Sequence, residues 1–410
     1  MINTLERQRD ILNLISQLDI TPTMYSNAVE KYKAIASFLN DCGIIADIYP
    51  QGSFAFGTVV RPCVENDSAN YDLDFICQLN SNRDEITPSE LRRRIENTLT
   101  SSNRYGGKLE VYDECFTIHY ADINGVGFTI DIVPAVDESM TNKLVLMRNS
   151  ERPNLINTAI AIPRHNGDCN YSWLTNNPKG FKNWFDEINA PFLNARRFEN
   201  RRDLFEANRQ MFSSIEDVPS ALERSSLQRV IQILKYHRDS YYSKRNHGDE
   251  LKPISAIINT LVANIAQTID PNFDTFALLS YVLDELNIYS EHVKMNANAF
   301  HEKHGSRNVI THNNGKWVIL NPANPGDNLA DKWNSNPEIP EVFFLWLSLC
   351  RKDLLESLSL TDEQFRSSVE NAFGTDVIQK NWGSKYQTVV PKPINTLGSS
   401  KPYRCSYVEL

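Results

Sequence analysis

The chain has 410 residues, of which 41% are hydrophobic and 23% charged, and its formal net charge is −9. That length exceeds one ordinary domain and can bury a core in each of two lobes. The acidic balance weighs against a protein that coats DNA or RNA through many Lys and Arg contacts, and no run of about twenty apolar residues is present to span a membrane. Residues 3–19 carry Leu5, Ile11, Leu12, Ile15 and Leu18 at helical spacing. A second helix is expected with Thr21 as its cap and Pro22 at its first position, its stripe running from Tyr25 to Leu39. Ile44 to Tyr49 predicts a strand that leads into a turn at Gly52-Ser53. The next strand is expected over Tyr71 to Cys77, with Tyr71, Leu73, Phe75 and Cys77 facing a core and Asp72 and Asp74 on the other face.

A helix follows at about 88–100, where Thr87 and Glu90 fit a capping box and Pro88 fits the first turn. Phe116–Ile123 and Val126–Val133 flank Asn124-Gly125, a strong signal for a hairpin with a two-residue turn. Residues 135–220, rich in Asn, Pro and Trp, show only fragments of pattern. From about 225 the period is helical: one stripe runs through Leu227, Val230, Ile231 and Leu234, and another from Ile254 to Ile265 after Pro253. Helices are expected at 274–289, 340–357 and 361–373, with a short strand at Trp317–Leu320. The order implies an α+β fold with three parts: a sheet-bearing core with the N-terminal helices over 1–215, a helical lobe over 216–375, and a flexible tail over 376–410. Seven scattered cysteines fit reduced thiols, and Met1 to Arg7 lacks the basic flank and apolar stretch of a signal peptide, so a cytoplasmic location is expected.

The chemistry is concentrated in the sheet. A glycine-serine turn can bring backbone N–H groups against a polyphosphate, and two carboxylates at alternate strand positions can share divalent cations. A pair of such cations needs a third carboxylate, for which Asp122 and Asp131 are the candidates. With a two-residue turn, Ile123 faces Val126, Asp122 faces Gly127 and Ile118 faces Asp131. Both acids then share a face, about 13–14 Å apart, too far to serve one metal pair. Asp131 is the better choice, because Phe128, Ile130 and Ile132 bury the opposite face and a carboxylate so deep in a strand calls for a compensating cation.

Gln51-Gly52-Ser53-Phe54-Ala55-Phe56-Gly57-Thr58, then Asp72-Leu73-Asp74, then Asp131-Ile132-Val133-Pro134 resemble the cGAS/DncV-like nucleotidyltransferases, the bacterial relatives of cyclic GMP–AMP synthase. Asn177-Pro178-Lys179-Gly180, Leu234-Lys235-Tyr236-His237-Arg238, Pro253-Ile254-Ser255 and the loop from Asn321 to Asn328 extend the likeness over roughly residues 1–375. The resemblance implies a polymerase β-like nucleotidyltransferase core with a small mixed sheet, a helical lobe, and a catalytic cleft between them. It implies that Asp72, Asp74 and Asp131 bind two Mg2+ ions, for which Mn2+ can substitute. It also implies that Gln51, Gly52 and Ser53 hold a donor triphosphate whose outer phosphates meet Lys235 and Ser255. Lys235 sits at the edge of its helical stripe, where its stem can pack while the ammonium reaches a cleft, and Ser255 lies in a first helical turn that favours an anion.

The implied activity is synthesis of a cyclic di- or trinucleotide second messenger from nucleoside triphosphates in anti-phage signalling, with regulatory or effector proteins as partners and no membrane or obligate nucleic acid. The alternatives are a transferase that extends RNA ends or makes linear oligonucleotides, and a non-catalytic nucleotide-binding sensor. His301 and His304 have no nearby cysteine, so zinc is not expected. Arg196 to Arg202, which includes Glu199, is expected to be an exposed helical face, and Cys63 and Cys77 are expected to be structural thiols.

Overall fold

The computed structural model describes residues 2–60, 71–123, 126–167 and 170–387, without the side chains of residues 72, 121–123 and 126–128. The N-terminal helices form as the periodicity predicts, α1 over Thr4–Gln17 and α2 over Pro22–Asp41. The Thr21 hydroxyl accepts from the Met24 amide and satisfies one of the unpaired donors at the start of α2. After β1 (Ala46–Pro50), the expected turn is a five-residue helix, α3 (Gly52–Phe56), which ends on Gly57 in the left-handed region. Then come β2 (Tyr71–Asn82), α4 (Pro88–Thr100), β3 (Leu109–Val111), β4 (Phe116–Ile123) and β5 (Val126–Asp137). Thr87 caps α4 as its position predicts.

These strands lie in the order β1-β2-β5-β4-β3, with β2 and β5 parallel and the other pairs antiparallel. The β2–β5 register sets Leu73 beside Ile130, Asp74 beside Asp131 and Phe75 beside Ile132. Alternation along each strand then turns Leu73, Phe75, Ile130 and Ile132 into an apolar core with Phe116 and Ile118. The β4–β5 hairpin forms between Ile123 and Val126, but its register differs from the simple two-residue geometry. An irregularity between Tyr120 and Ile123 shifts the pairing by one residue, so Thr117 and not Ile118 lies opposite Asp131. Asn124-Gly125 and the Asp122 side chain lie outside the described residues.

The middle of the chain is more ordered than its composition implied. It holds α5 (Met140–Arg148), a hairpin of β6 (Ile160–His165) and β7 (Tyr171–Asn176) that extends the sheet from the end of β5, α6 (Pro178–Ala195) and α7 (Arg197–Ala207). The helical part follows: α8 (Ser226–Ser243), α9 (Gly248–Leu251), α10 (Ser255–Ala266), α11 (Thr275–Ile288) and α12 (Ala297–His304). Short strand pairs, β8 (Thr311–Asn313) with β9 (Lys316–Val318) and β10 (Leu320–Asn321) with β11 (Asn324–Asn328), replace the single strand expected near Trp317. Helices α13 (Asp331–Ser335), α14 (Glu338–Leu354) and α15 (Asp362–Phe373) precede α16 (Thr375–Trp382), which occupies the start of the segment expected to be a tail.

Packing does not follow a division at residue 215. Ile11, Leu14 and Ile15 of α1 and Phe181, Trp184, Phe185, Ile188 and Phe192 of α6 belong to the core of the helical part. Arg7, only 2% exposed, anchors α1 there. Its guanidinium donates to the carbonyls of Leu358 and Leu360 at 2.9 and 2.7 Å and to the Asp362 carboxylate at 2.5 Å, and it lies over the Phe365 ring. Replacing Arg7 with methionine keeps bulk but orphans those buried carbonyls. Arg7→Met is therefore expected to lower the unfolding free energy by about 2–4 kcal/mol, read from the midpoint of chemical denaturation.

Candidate active site

The site is built where α3, the polar face of the sheet and α8 converge. Asp74 and Asp131 are direct neighbours on parallel strands, which sets their Cα atoms about 4.8 Å apart. Both are half-buried. The Thr117 hydroxyl donates to Asp131 Oδ1 at 2.6 Å and orients that carboxylate. Asp72 precedes Asp74 by two positions in β2, with its backbone opposite Thr129, but its side chain lies outside the described residues.

The glycine-serine turn is pinned to the same strand. Gln51 N–H donates to the carbonyl of Asp74 at 2.8 Å. Gly52 has φ +59°, and a Cβ there would meet Asp74 Oδ2 at 2.7 Å. Only glycine lets the backbone come so close to that carboxylate. Ser53 is half-buried in the first turn of α3, and its carbonyl accepts from Thr58 N–H at 2.9 Å.

Helix α8 closes the site from the other side. Gln228 Nε2 donates to the Phe56 carbonyl at 2.7 Å, Gln232 Nε2 to Val59 at 2.9 Å and Lys235 Nζ to Thr58 at 2.9 Å. Positions 228, 232 and 235 share a helix face. The Lys235 ammonium is buried against the Thr58 carbonyl, and the residue is 3% exposed. Burial, reinforced by the Arg238 guanidinium, pulls it down to about 7 against the attraction of Asp239 and Asp74. Ser255 is linked to this group through Arg238, whose Nη1 lies 3.1 Å from Ser255 Oγ and 3.2 Å from the Pro253 carbonyl. Ser255 is the first residue of α10, as expected.

Gln228, Gln232, Arg238 (named only as the end of the stretch from Leu234 to Arg238) and Thr117 were assigned no role from the sequence. The first three lie on or beside the helical stripe that was recognised, and a polar residue at such a place is a usable signal. Thr117 could not be found, because the register shift that brings it to Asp131 is invisible in the pattern.

Two carboxylates at neighbouring positions of parallel strands suit a hard divalent cation, and the close approach of Gly52 leaves room for backbone but for no side chain beside Asp74. The other expectations resolve as follows. Arg197 and Arg201 pair with the buried Glu223, and Arg202 with Asp203, so the three arginines of α7 are paired. His304 Nε2 lies 2.8 Å from Glu291. Cys77 is fully buried and its thiol is pushed up to about 12 by that burial; Cys63 lies outside the described residues. No helix among the described residues is long and apolar enough to cross a membrane.

Residues 6–189 match the family model of SMODS, the Second Messenger Oligonucleotide or Dinucleotide Synthetase domain. Over 388 residues the chain is 23% identical to a c-di-GMP synthase of Roseivirga ehrenbergii, a match that takes in 93% of this chain and 87% of that protein. The fold is shared with the CD-NTase CdnG of Bradyrhizobium diazoefficiens, solved in complex with GTP, at a TM-score of 0.64 and 19% identity over 92% of this chain and 98% of that one. It is shared also with CdnC of E. coli MS115-1, solved with ATP, at a TM-score of 0.54 and 13% identity over 90% and 98% of the two chains. Those matches converge on what the strand acids and the glycine-serine turn already implied: the chain is a nucleotidyltransferase, its residues 6–189 match the SMODS synthetase domain, and its fold is similar to that of the CD-NTases.

Proposed function

We propose that this enzyme joins nucleoside triphosphates into a cyclic di- or trinucleotide second messenger, releasing pyrophosphate at each step. The adjacency of Asp74 and Asp131, with Gly52 packed against Asp74, is the observation that carries this reading. Asp72, Asp74 and Asp131 hold two magnesium ions, with manganese able to substitute. When bound, these ions supply charge neutralisation for the attacking ribose oxygen and the leaving pyrophosphate. Gln51, Gly52 and Ser53 hold the donor triphosphate. Lys235 gives one of its three donors to the Thr58 carbonyl, and the other two can meet the outer phosphates. Arg238 keeps Ser255 at the start of α10, where it adds a hydroxyl to the same end of the donor.

Each transfer forms one bond from a ribose oxygen to the α-phosphorus and breaks the bond to the β-phosphate. A further transfer, with the linear product's own triphosphate as donor, closes the ring. The c-di-GMP synthase relative makes guanine the first base to test. Location in the cytoplasm, regulation by partner proteins and a role in anti-phage defence belong to the same proposal.

Purified protein with labelled triphosphates and Mg2+ should yield a phosphatase-resistant product, and a chelator should stop its formation. Only phosphatase-sensitive chains would instead favour a linear product. Asp131→Asn, which removes a ligand itself, should reduce turnover by more than the ~10–100-fold typical of losing an outer-shell partner, with the denaturation midpoint retained.

Lys235 gives a pH-dependent test. With its folded value near 7 and its ordinary value at 10.5, the folded chain lacks a proton that the unfolded chain holds between those limits. Its contribution to stability therefore rises with pH across that window. An anionic phosphate draws the proton back. At pH 8, binding of a non-hydrolysable triphosphate should take up about 0.9 proton, measured by calorimetry in buffers of different ionisation heat. Lys235→Met should abolish that uptake and weaken binding about ten- to hundredfold.

A further inference from the structure

The polar face of the sheet does not end at Asp131. On β4, Thr117 and His119 follow it, and on β3 Glu110 lies opposite Thr117. His119 Nε2 is 3.2 Å from Glu110 Oε2, and the Tyr112 hydroxyl donates to the same oxygen at 2.6 Å. These two contacts, Tyr112 before His119, hold the Glu110 carboxyl below its usual range. Above this face lies an open groove of about 640 Å³, whose floor includes Thr117, His119, Thr129 and Asp131 and whose wall is the turn from Tyr112 to Cys115. The wall is braced from behind: Arg92, 4% exposed, donates to the carbonyls of Tyr112 and Asp113, and Tyr112 N–H bonds the Cys115 carbonyl.

We propose that His119, held by Glu110 and Tyr112, is a positioning residue that binds the non-attacking ribose hydroxyl of the acceptor nucleotide. The inference rests on the nucleotidyl transfer proposed for the site. In an in-line displacement, the attacking oxygen and the leaving pyrophosphate lie on opposite sides of the phosphorus. Gly52 and Lys235 mark the pyrophosphate side, next to Asp74. The groove lies on the opposite side, beyond Asp131. His119 is paired with Thr129, two positions from Asp131 along β5, or about 6.6 Å. A ribose spans that gap, so one hydroxyl can lie over the carboxylates while its neighbour reaches the imidazole. The Glu110 carboxylate, 3.2 Å from Nε2, favours a proton on that nitrogen, which leaves Nδ1 to accept from the hydroxyl. Holding one hydroxyl decides which oxygen attacks, so the same contact fixes a single linkage, 2′–5′ or 3′–5′.

The test uses the full chain, a saturating triphosphate donor and guanosine 5′-monophosphate, which can accept but cannot donate. His119→Ala is expected to raise the KM for the monophosphate about tenfold, the worth of one hydrogen bond, with the affinity for a non-hydrolysable GTP analogue unchanged. The joined product should also change from one linkage to a mixture, read by digestion with a 3′–5′-specific nuclease. His119→Asn, whose amide oxygen falls near the Nδ1 position, should restore most of the loss. Glu110→Gln, at an exposed position that does not threaten folding, should raise the same KM about threefold. An unchanged KM and an unmixed linkage in His119→Ala would overturn the inference, as would a parallel loss of analogue binding. A wild-type protein that forms no phosphodiester would sink the nucleotidyl-transfer reading itself, and this inference with it.

Discussion

The hydrogen bonds from one face of α8 to the carbonyls of Phe56, Thr58 and Val59 hold the rest of the site in place. This stretch has just left α3 through a left-handed Gly57, and Thr58 and Val59 are buried at 0% and 3% exposure. Buried carbonyls must find donors, and side chains of the helical part provide them. Gln228 serves twice: its amide oxygen accepts from Ser225 N–H at the start of α8 while its nitrogen holds Phe56. The interaction that begins the helix therefore also ties it to the loop. A side chain at Gly57 would meet Gln228 Nε2 at 2.5 Å, so the loop needs glycine there for space as well as for its φ of +64°.

This latch explains how two cores share one site. Phe54 stacks on Tyr25 at 5.4 Å and approaches Phe75 at 6.0 Å, on the sheet side. Phe56, two residues later, lies 5.2 and 5.3 Å from Phe181 and Phe185 in the helical core. A helix of five residues thus places its aromatic rings in opposite cores. Separating the two parts would expose both rings and orphan the three carbonyls together. The distance from Gly52 to Asp74 on one side, and from Thr58 to Lys235 on the other, is therefore set by packing and does not depend on a flexible loop.

Much of this was legible because local chemistry and global packing agree. Thr21-Pro22 and Thr87-Pro88 announced their helices, and the alternation through Tyr71, Leu73, Phe75 and Cys77 told which face of β2 is buried. The hairpin ends at Ile123 and Val126 were readable, but the irregularity between Tyr120 and Ile123 was not, since nothing in the residue types there marks an extra residue. Helix α6 was missed although Phe181, Trp184, Phe185, Ile188 and Phe192 keep a helical period, because Pro191 inside it and the Asn-rich surroundings suit a loop equally well. The burial of α1 in the distant helical core could not be foreseen. Arg7 looks like a surface residue until the carbonyls of Leu358 and Leu360 are brought to it.

Charge is the remaining constraint. In a chain with net charge −9, the cleft still sets buried cations on its helical side against the strand carboxylates of the sheet. Asp19 is buried, yet the guanidiniums of Arg224 and Arg229 at 2.9 and 3.0 Å hold its carboxyl below the usual range despite that burial. Two cations therefore face one anion beside Gly57. Lys235 and Arg238 are both buried; Arg238 pairs with Asp239 of the same helix, and Lys235 feels that carboxylate and Asp74. Along the face that grips the loop, cations thus exceed anions, while the sheet face opposite presents acids. An isolated surplus of either sign would be costly to bury. Placed on facing walls, the two surpluses offset each other within the cleft, independently of the net charge of the chain.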